Sequence, residues 1–175
     1  MKMGKSENFQ DYVKKCVKYI VIFALIFTFW VFVIHESLHS LACAAQGYEA
    51  IYTFVSSQPS VECIGLGPSN EPGQFLTLMA PYILEIFILL GFLFNKNKRI
   101  IVRLIPHIVF MDLAGNFFFS YLLNGRDDFM QLAANAPSLF WLSLPLVCAI
   151  ILIWVFGYRK DFQDFYDFIR PGGNK

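Results

Sequence analysis

Two histidines four residues apart, with a glutamate directly after the first, form an HExxH motif in His35-Glu36-Ser37-Leu38-His39. On a helix, positions four apart share a face, so His35 and His39 can offer both imidazoles to one ion. Glu36 lies about 100° round the helix from His35 and can reach a water held by that ion as general base. The chain has three histidines, and this motif uses two of them. Glutamate and histidine are costly in hydrocarbon and usually mark function there. Here they directly follow an uncharged apolar run, Tyr19 to Ile34. The residue types are those of a zinc site that activates water.

Such a site needs a third protein ligand and one open position. His107 is the remaining histidine, which favours a carboxylate or a thiolate. The candidates are Asp127 and Asp128 in Asn124-Gly125-Arg126-Asp127-Asp128-Phe129, then Asp112, Glu85, Cys43 and Cys63. Depth ranks them. A first span entered at about Lys18 places His35 about 25 Å along its axis, toward the outer face. The loop with Asp127 and Asp128 lies at that level. Asp112 and Glu85 fall nearer the middle of their own helices, where only a strong tilt brings them to His35. Asp128 is therefore the preferred metal ligand and Asp127 the alternative, the other of the pair capping the next helix or pairing with Arg126. Asp112 reads as an acceptor behind a ligand, a partner for Arg103, or an interhelical hydrogen bond. Asn116, one turn beyond it, reads as a substrate-binding or oxyanion-stabilising amide. Interhelical packing is the plainer role for both.

The elements that position these residues follow from composition. The 175 residues are 57% hydrophobic and only 15% charged, well below the quarter usual in soluble domains, with a mean hydropathy of +0.53. These values predict a single all-α polytopic membrane domain, residues 1–175, lying in the lipid bilayer. Four apolar segments are long enough to span it: about 17–46, 74–94, 100–123 and 137–158, the third interrupted by Arg103, His107 and Asp112. Lysine and arginine set the orientation. Lys2, Lys5, Lys14, Lys15 and Lys18 precede the first span, Lys96, Lys98 and Arg99 lie between the second and third, and Arg159 and Lys160 follow the fourth. With four transmembrane helices every basic cluster falls on one side, which predicts a multi-pass protein of the cell membrane with N and C termini cytoplasmic. A net charge of +1 with no basic stripe excludes a nucleic-acid partner.

Between the first two spans, about 48–68, the composition changes. Tyr48 to Val55 and Val61 to Leu66 are rich in β-branched and aromatic residues, and Ser56-Ser57-Gln58-Pro59-Ser60 separates them, which predicts a small β-hairpin. A lone hairpin is marginal in water, so it must rest on the helices or the bilayer. The four cysteines show no CxxC spacing. Cys16 and Cys148 read as small apolar residues in or near spans. Cys43 and Cys63 fall on one side of the membrane, which permits a disulfide or a redox-sensitive pair, a choice that needs a Cα separation to decide. Phe162, Phe165, Tyr166 and Phe168, set among aspartates, read as an aromatic interface flank. The N-terminal lysines, apolar run and Ala42-Cys43-Ala44 also fit a signal peptide, but the run is long for one and cleavage would leave the HExxH without purpose.

The stretch from His35 to Gly47 resembles the motif-bearing helix of the site-2 protease superfamily: an HExxH, small residues after it, and a glycine eight positions beyond the second histidine. A hairpin after this helix and Ala80-Pro81 in the next span are also similar. The resemblance implies zinc, His35 and His39 as ligands, and Glu36 as catalytic base. The family's Asn-Pro-Asp-Gly motif and its PDZ and CBS modules are absent, so the third ligand carries over only by position, to Asp128 or Asp127. The expectation is a minimal, divergent zinc metalloendopeptidase acting on a membrane protein or peptide. A non-catalytic metal-binding membrane scaffold is the first alternative, and a small transporter using Glu85, Asp112 and His107 the second.

Overall fold

The computed structural model describes residues 9–55, 58–94, 100–119, 128–160 and 163. Helix α1 (Phe9–Phe29) passes through a π-helical segment (Trp30–His35) into α2 (Glu36–Ala45). At about 1.5 Å per residue, the stretch Val13–Ala45 is about 50 Å long, more than a bilayer core of about 30 Å. The HExxH therefore sits near one end of a helix that outreaches the hydrocarbon. The π turn changes the facing of everything after it, and such turns recur at functional sites. Helix α2 stops at Gly47, whose φ of +83° suits glycine. There the Gly47 N–H donates to Ala44 O at 3.0 Å and the Tyr48 N–H to Cys43 O at 3.0 Å, closing two orphan carbonyls.

The chain then forms an antiparallel ribbon of β1 (Glu49–Val55) and β2 (Gln58–Ile64), with Glu49 opposite Ile64 and Val55 opposite Gln58. Strand β2 begins three residues before the expected Val61 and takes in Pro59, which pairs with Phe54. Proline is tolerated because each strand of a two-stranded ribbon has one edge outside the ladder. A disulfide joins Cys43 to Cys63 across a Cα separation of 5.6 Å. It ties the last turns of α2 to β2 and removes both cysteines from the candidate metal ligands.

Helix α3 (Glu71–Leu93) starts where the Asn70 side chain accepts from the Gly73 N–H at 3.1 Å, with Pro72 in the first turn. Helix α4 (Ile100–Ala114) runs into a second π-helical segment (Gly115–Phe119). Helices α5 (Asp128–Asn135) and α6 (Pro137–Gly157) complete the described structure. The Ser138 N–H, in the first turn of α6, donates to Glu71 Oε2 at 3.2 Å, which joins the starts of α3 and α6. Helix α3 is the central element, packed on α2, α4, α5 and α6. Its Met79, Tyr82 and Leu89 are fully buried against Val109, Leu113, Phe129, Leu132 and Ile150.

Among the described residues, three helices are long and apolar enough to cross a membrane: Val13–Ala45, Glu71–Leu93 and Pro137–Gly157. They match the first, second and fourth expected spans. The expected third, 100–123, is α-helical over Ile100–Ala114 and π-helical over Gly115–Phe119 but is not among those three. Residues 120–123, Arg126 and Asp127 lie outside the described residues, as do the tail aromatics Phe162, Phe165, Tyr166 and Phe168.

The disulfide sets an expected thiol count. Cys16 and Cys148 are free, so denatured protein alkylates at two positions before reduction and four after it. Replacing Cys43 and Cys63 together by serine lowers stability by about 2–4 kcal/mol, read by denaturation in detergent. Four reactive thiols in unreduced protein would contradict the bond.

Candidate metal centre

The π segment and the first turn of α2 bring His35, Glu36 and His39 inward, and all three are buried. The first residue of α5, Asp128, meets them. Its Oδ2 lies 3.0 Å from His35 Nε2 and its Oδ1 lies 3.3 Å from His39 Nε2. One ligand atom from each of His35, His39 and Asp128 lies within 4.8 Å of the other two, so the three form a group able to hold a metal ion. Tetrahedral zinc with bonds of about 2.0–2.1 Å sets its ligand atoms about 3.3 Å apart, so these spacings fit. Asp127, the alternative ligand, lies outside the described residues.

The other ring nitrogens are already committed. His35 Nδ1 is 2.8 Å from Asp112 Oδ2, and His39 Nδ1 is 2.8 Å from the Thr77 carbonyl oxygen. Both oxygens accept only, so each Nδ1 carries a proton and donates it. Each Nε2 then turns its lone pair toward the shared space, the arrangement that metal-binding histidines need. The Asp112 carboxylate is held in turn. Trp30 Nε1–H donates to its Oδ2 at 3.0 Å and Asn116 Nδ2–H to its Oδ1 at 3.1 Å. The Asn116 amide also reaches the Asp112 carbonyl at 3.3 Å, beside the second π segment.

Asp112 therefore reaches His35 directly, against the expectation that depth would keep it away. Depth reckoned from Lys18 along a straight helix ignores both the π turn and the crossing of helices, and those bring the last turn of α4 to His35. Asn116 holds Asp112 from one turn further along the same helix. Glu85 lies with Asp112 on the Nδ1 side of His35, in a second group of three, and its carboxyl oxygens have no hydrogen-bond donor among the described residues. His107 is remote from this centre, its Nδ1 accepting from Trp154 Nε1–H at 3.1 Å.

Sequence reasoning missed four participants: Trp30, Thr77, Tyr82 and Gln46. The Tyr82 hydroxyl donates to Asp128 Oδ2 at 2.6 Å, and its ring stands edge-on to His35. The Gln46 Nε2–H2 donates to Thr77 Oγ1 at 2.9 Å and to the Ala42 carbonyl at 3.0 Å. Glu36 stands outside the ligand group, beside it on α2.

No family model, no curated protein and no solved structure matches this chain. The functional reading rests on residues and geometry.

The contacts behind the ligands give measurable expectations. Asp112→Asn and Tyr82→Phe each lower zinc affinity about 10–100-fold in competition with a chromophoric chelator. Asp128→Ala abolishes stoichiometric binding. Full zinc retention in Asp128→Ala would remove it from the ligand set.

Proposed function

We propose that the chain is a zinc metalloprotease embedded in the cell membrane, hydrolysing peptide bonds in or next to the bilayer. The observation that carries this reading is the convergence of His35 Nε2, His39 Nε2 and the Asp128 carboxylate, with the Glu36 carboxylate adjacent on the same helix turn. Two nitrogens and one oxygen suit zinc among the divalent metals. Bound there, zinc would supply Lewis-acid polarisation of the scissile carbonyl and acidify the attacking water. Glu36 takes the water proton on its carboxylate and later delivers it to the leaving amine. The fully buried Tyr82 fixes Asp128, and Asp112 and Thr77 fix the two imidazoles, so the protein spends no reorganisation at the moment of reaction.

A substrate enters as a membrane protein or peptide. Its scissile carbonyl is protected while it stays helical, so local unwinding precedes attack. The edge of the β1–β2 ribbon offers backbone groups to which an unwound segment can add. Four spans, with Ile100 to the 120s as the third, put both termini in the cytoplasm and the metal centre at the outer face. The Cys43–Cys63 disulfide supports that placement independently, since such bonds persist in oxidising compartments.

Zinc-loaded Glu36→Gln should keep its metal and lose cleavage of a susceptible membrane substrate by at least about 100-fold, the lower range for removing a general base. Undiminished cleavage would defeat the proposed chemistry, and zinc binding by the wild type with no cleavage of any substrate would favour a metal-binding scaffold. Topology has its own check in intact cells. A membrane-impermeant thiol reagent should label Phe54→Cys, in the exposed part of β1, and spare Lys160→Cys, each in a Cys16→Ser/Cys148→Ser background. The reverse pattern would invert the orientation.

A further inference from the structure

In an α-helix the carbonyl of residue 77 takes the N–H of residue 81. Position 81 in α3 is proline, which has no N–H to give, and α3 nonetheless runs without interruption from Glu71 to Leu93. The Thr77 carbonyl is thereby left without its helical partner at a residue that is 5% exposed, where an orphan carbonyl is costly. That carbonyl accepts the His39 Nδ1–H at 2.8 Å. The side chain of the same threonine is clamped from α2, its Oγ1 accepting from Gln46 Nε2–H2 at 2.9 Å, which fixes where the carbonyl points.

We propose that Pro81 is a positioning residue of the metal centre: lacking an N–H, it leaves the Thr77 carbonyl to His39 and so sets the tautomer and direction of that ligand. The inference rests on the zinc reading of the site but concerns a hydrogen bond that exists whether or not the chain cleaves peptides. It gives the proline a role other than kinking a helix. A residue with an N–H at position 81 would close the ordinary helical bond to Thr77 and compete directly with the imidazole.

The test compares Pro81→Ala with Pro106→Ala, the same change at an in-helix proline of a different helix, α4. Pro81→Ala should lower zinc affinity about 10–100-fold by chelator competition, without lowering the thermal stability of the metal-free protein. Pro106→Ala should leave zinc affinity unchanged. Equal affinity in Pro81→Ala and wild type, or an equal loss in both variants, overturns the proposal. A role confined to packing would instead lower stability and leave affinity alone.

Histidine 15N spectra supply a second readout that needs no variant to fold. Wild-type His39 should carry its proton on Nδ1, and metal should perturb Nε2. A proton on Nε2 with Nδ1 facing the metal overturns the proposal even if Pro81→Ala does not fold. Should the protein take up no zinc, the proposed function falls while this hydrogen bond is still read. A protected Nδ1–H resonance of His39 that disappears in Pro81→Ala upholds the positioning role, and its absence from the wild type overturns it.

Discussion

The donor and acceptor needs of two imidazoles in a largely apolar setting govern how these helices meet. A neutral histidine has one N–H and one lone pair, and leaving either unpaired away from water costs about 1–3 kcal/mol on protein scales. The HExxH turn carries two such rings side by side, with centroids 4.8 Å apart. Each must find a partner on another element. Helix α4 takes one N–H through Asp112, α3 takes the other through Thr77, and α5 sets the Asp128 carboxylate beside both Nε2 lone pairs, where a bound cation would satisfy all three. Apolar packing between membrane helices has little directional preference, since lipid chains are as apolar as leucine. The polar contacts therefore choose the register, and the apolar core of Met79, Tyr82, Leu113 and Phe129 fills around that choice.

Meeting these needs requires departures from regular helix, and the departures lie beside the site. One π segment ends at His35 and another begins three residues after Asp112. Each frees backbone groups that an unbroken ladder would consume, and at the second Asn116 takes the Asp112 carbonyl while holding its carboxylate. Backbone groups freed at membrane depth are tolerated when protein buries them and pairs them. The same logic applies to Pro81. In a helix with every carbonyl paired, His39 would have to share its acceptor carbonyl with a helical N–H.

How much of this was legible depends on the range of the signal. The HExxH spacing is local, so His35, Glu36 and His39 could be read directly from helical periodicity. Asp128 was reachable because basic clusters imply a side for every loop, although nothing local separates it from Asp127. Asp112 agrees with its reading as an acceptor behind a ligand, but the depth argument held it too far from His35, because depth along a straight helix cannot register a π turn or a crossing angle. Tyr82 is one aromatic within an apolar span, and only its three-dimensional distance to Asp128 distinguishes it. Thr77 acts through its carbonyl, a group every residue carries, so its own side chain gives no sign. The available signal was indirect, a proline four positions later. The hairpin was readable from its β-branched residues, but Pro59 pulled the expected start of β2 three residues too late. The Cys43–Cys63 bond needed a separation that no spacing supplies.

The distribution of polarity around His35 also bears on which chemistry is reasonable. On its Nε2 side stand Glu36 and Asp128, each 8% exposed, beside the end of a helix that outreaches the bilayer core. On its Nδ1 side stand Asp112 at 2% and Glu85 at 0%. The Nε2 side is thus the more exposed of the two. Hydrolysis would use such an asymmetry, since it needs a face open to the nucleophile and a dry face that keeps the ligand oriented. Transport needs polar groups that continue to the opposite face. Beyond Glu85, α3 carries Leu89, packed with Val109 and Ile150, and His107 on α4 is paired with Trp154. A polar cluster that opens on one side and ends in an apolar core fits a reaction centre better than a conduit.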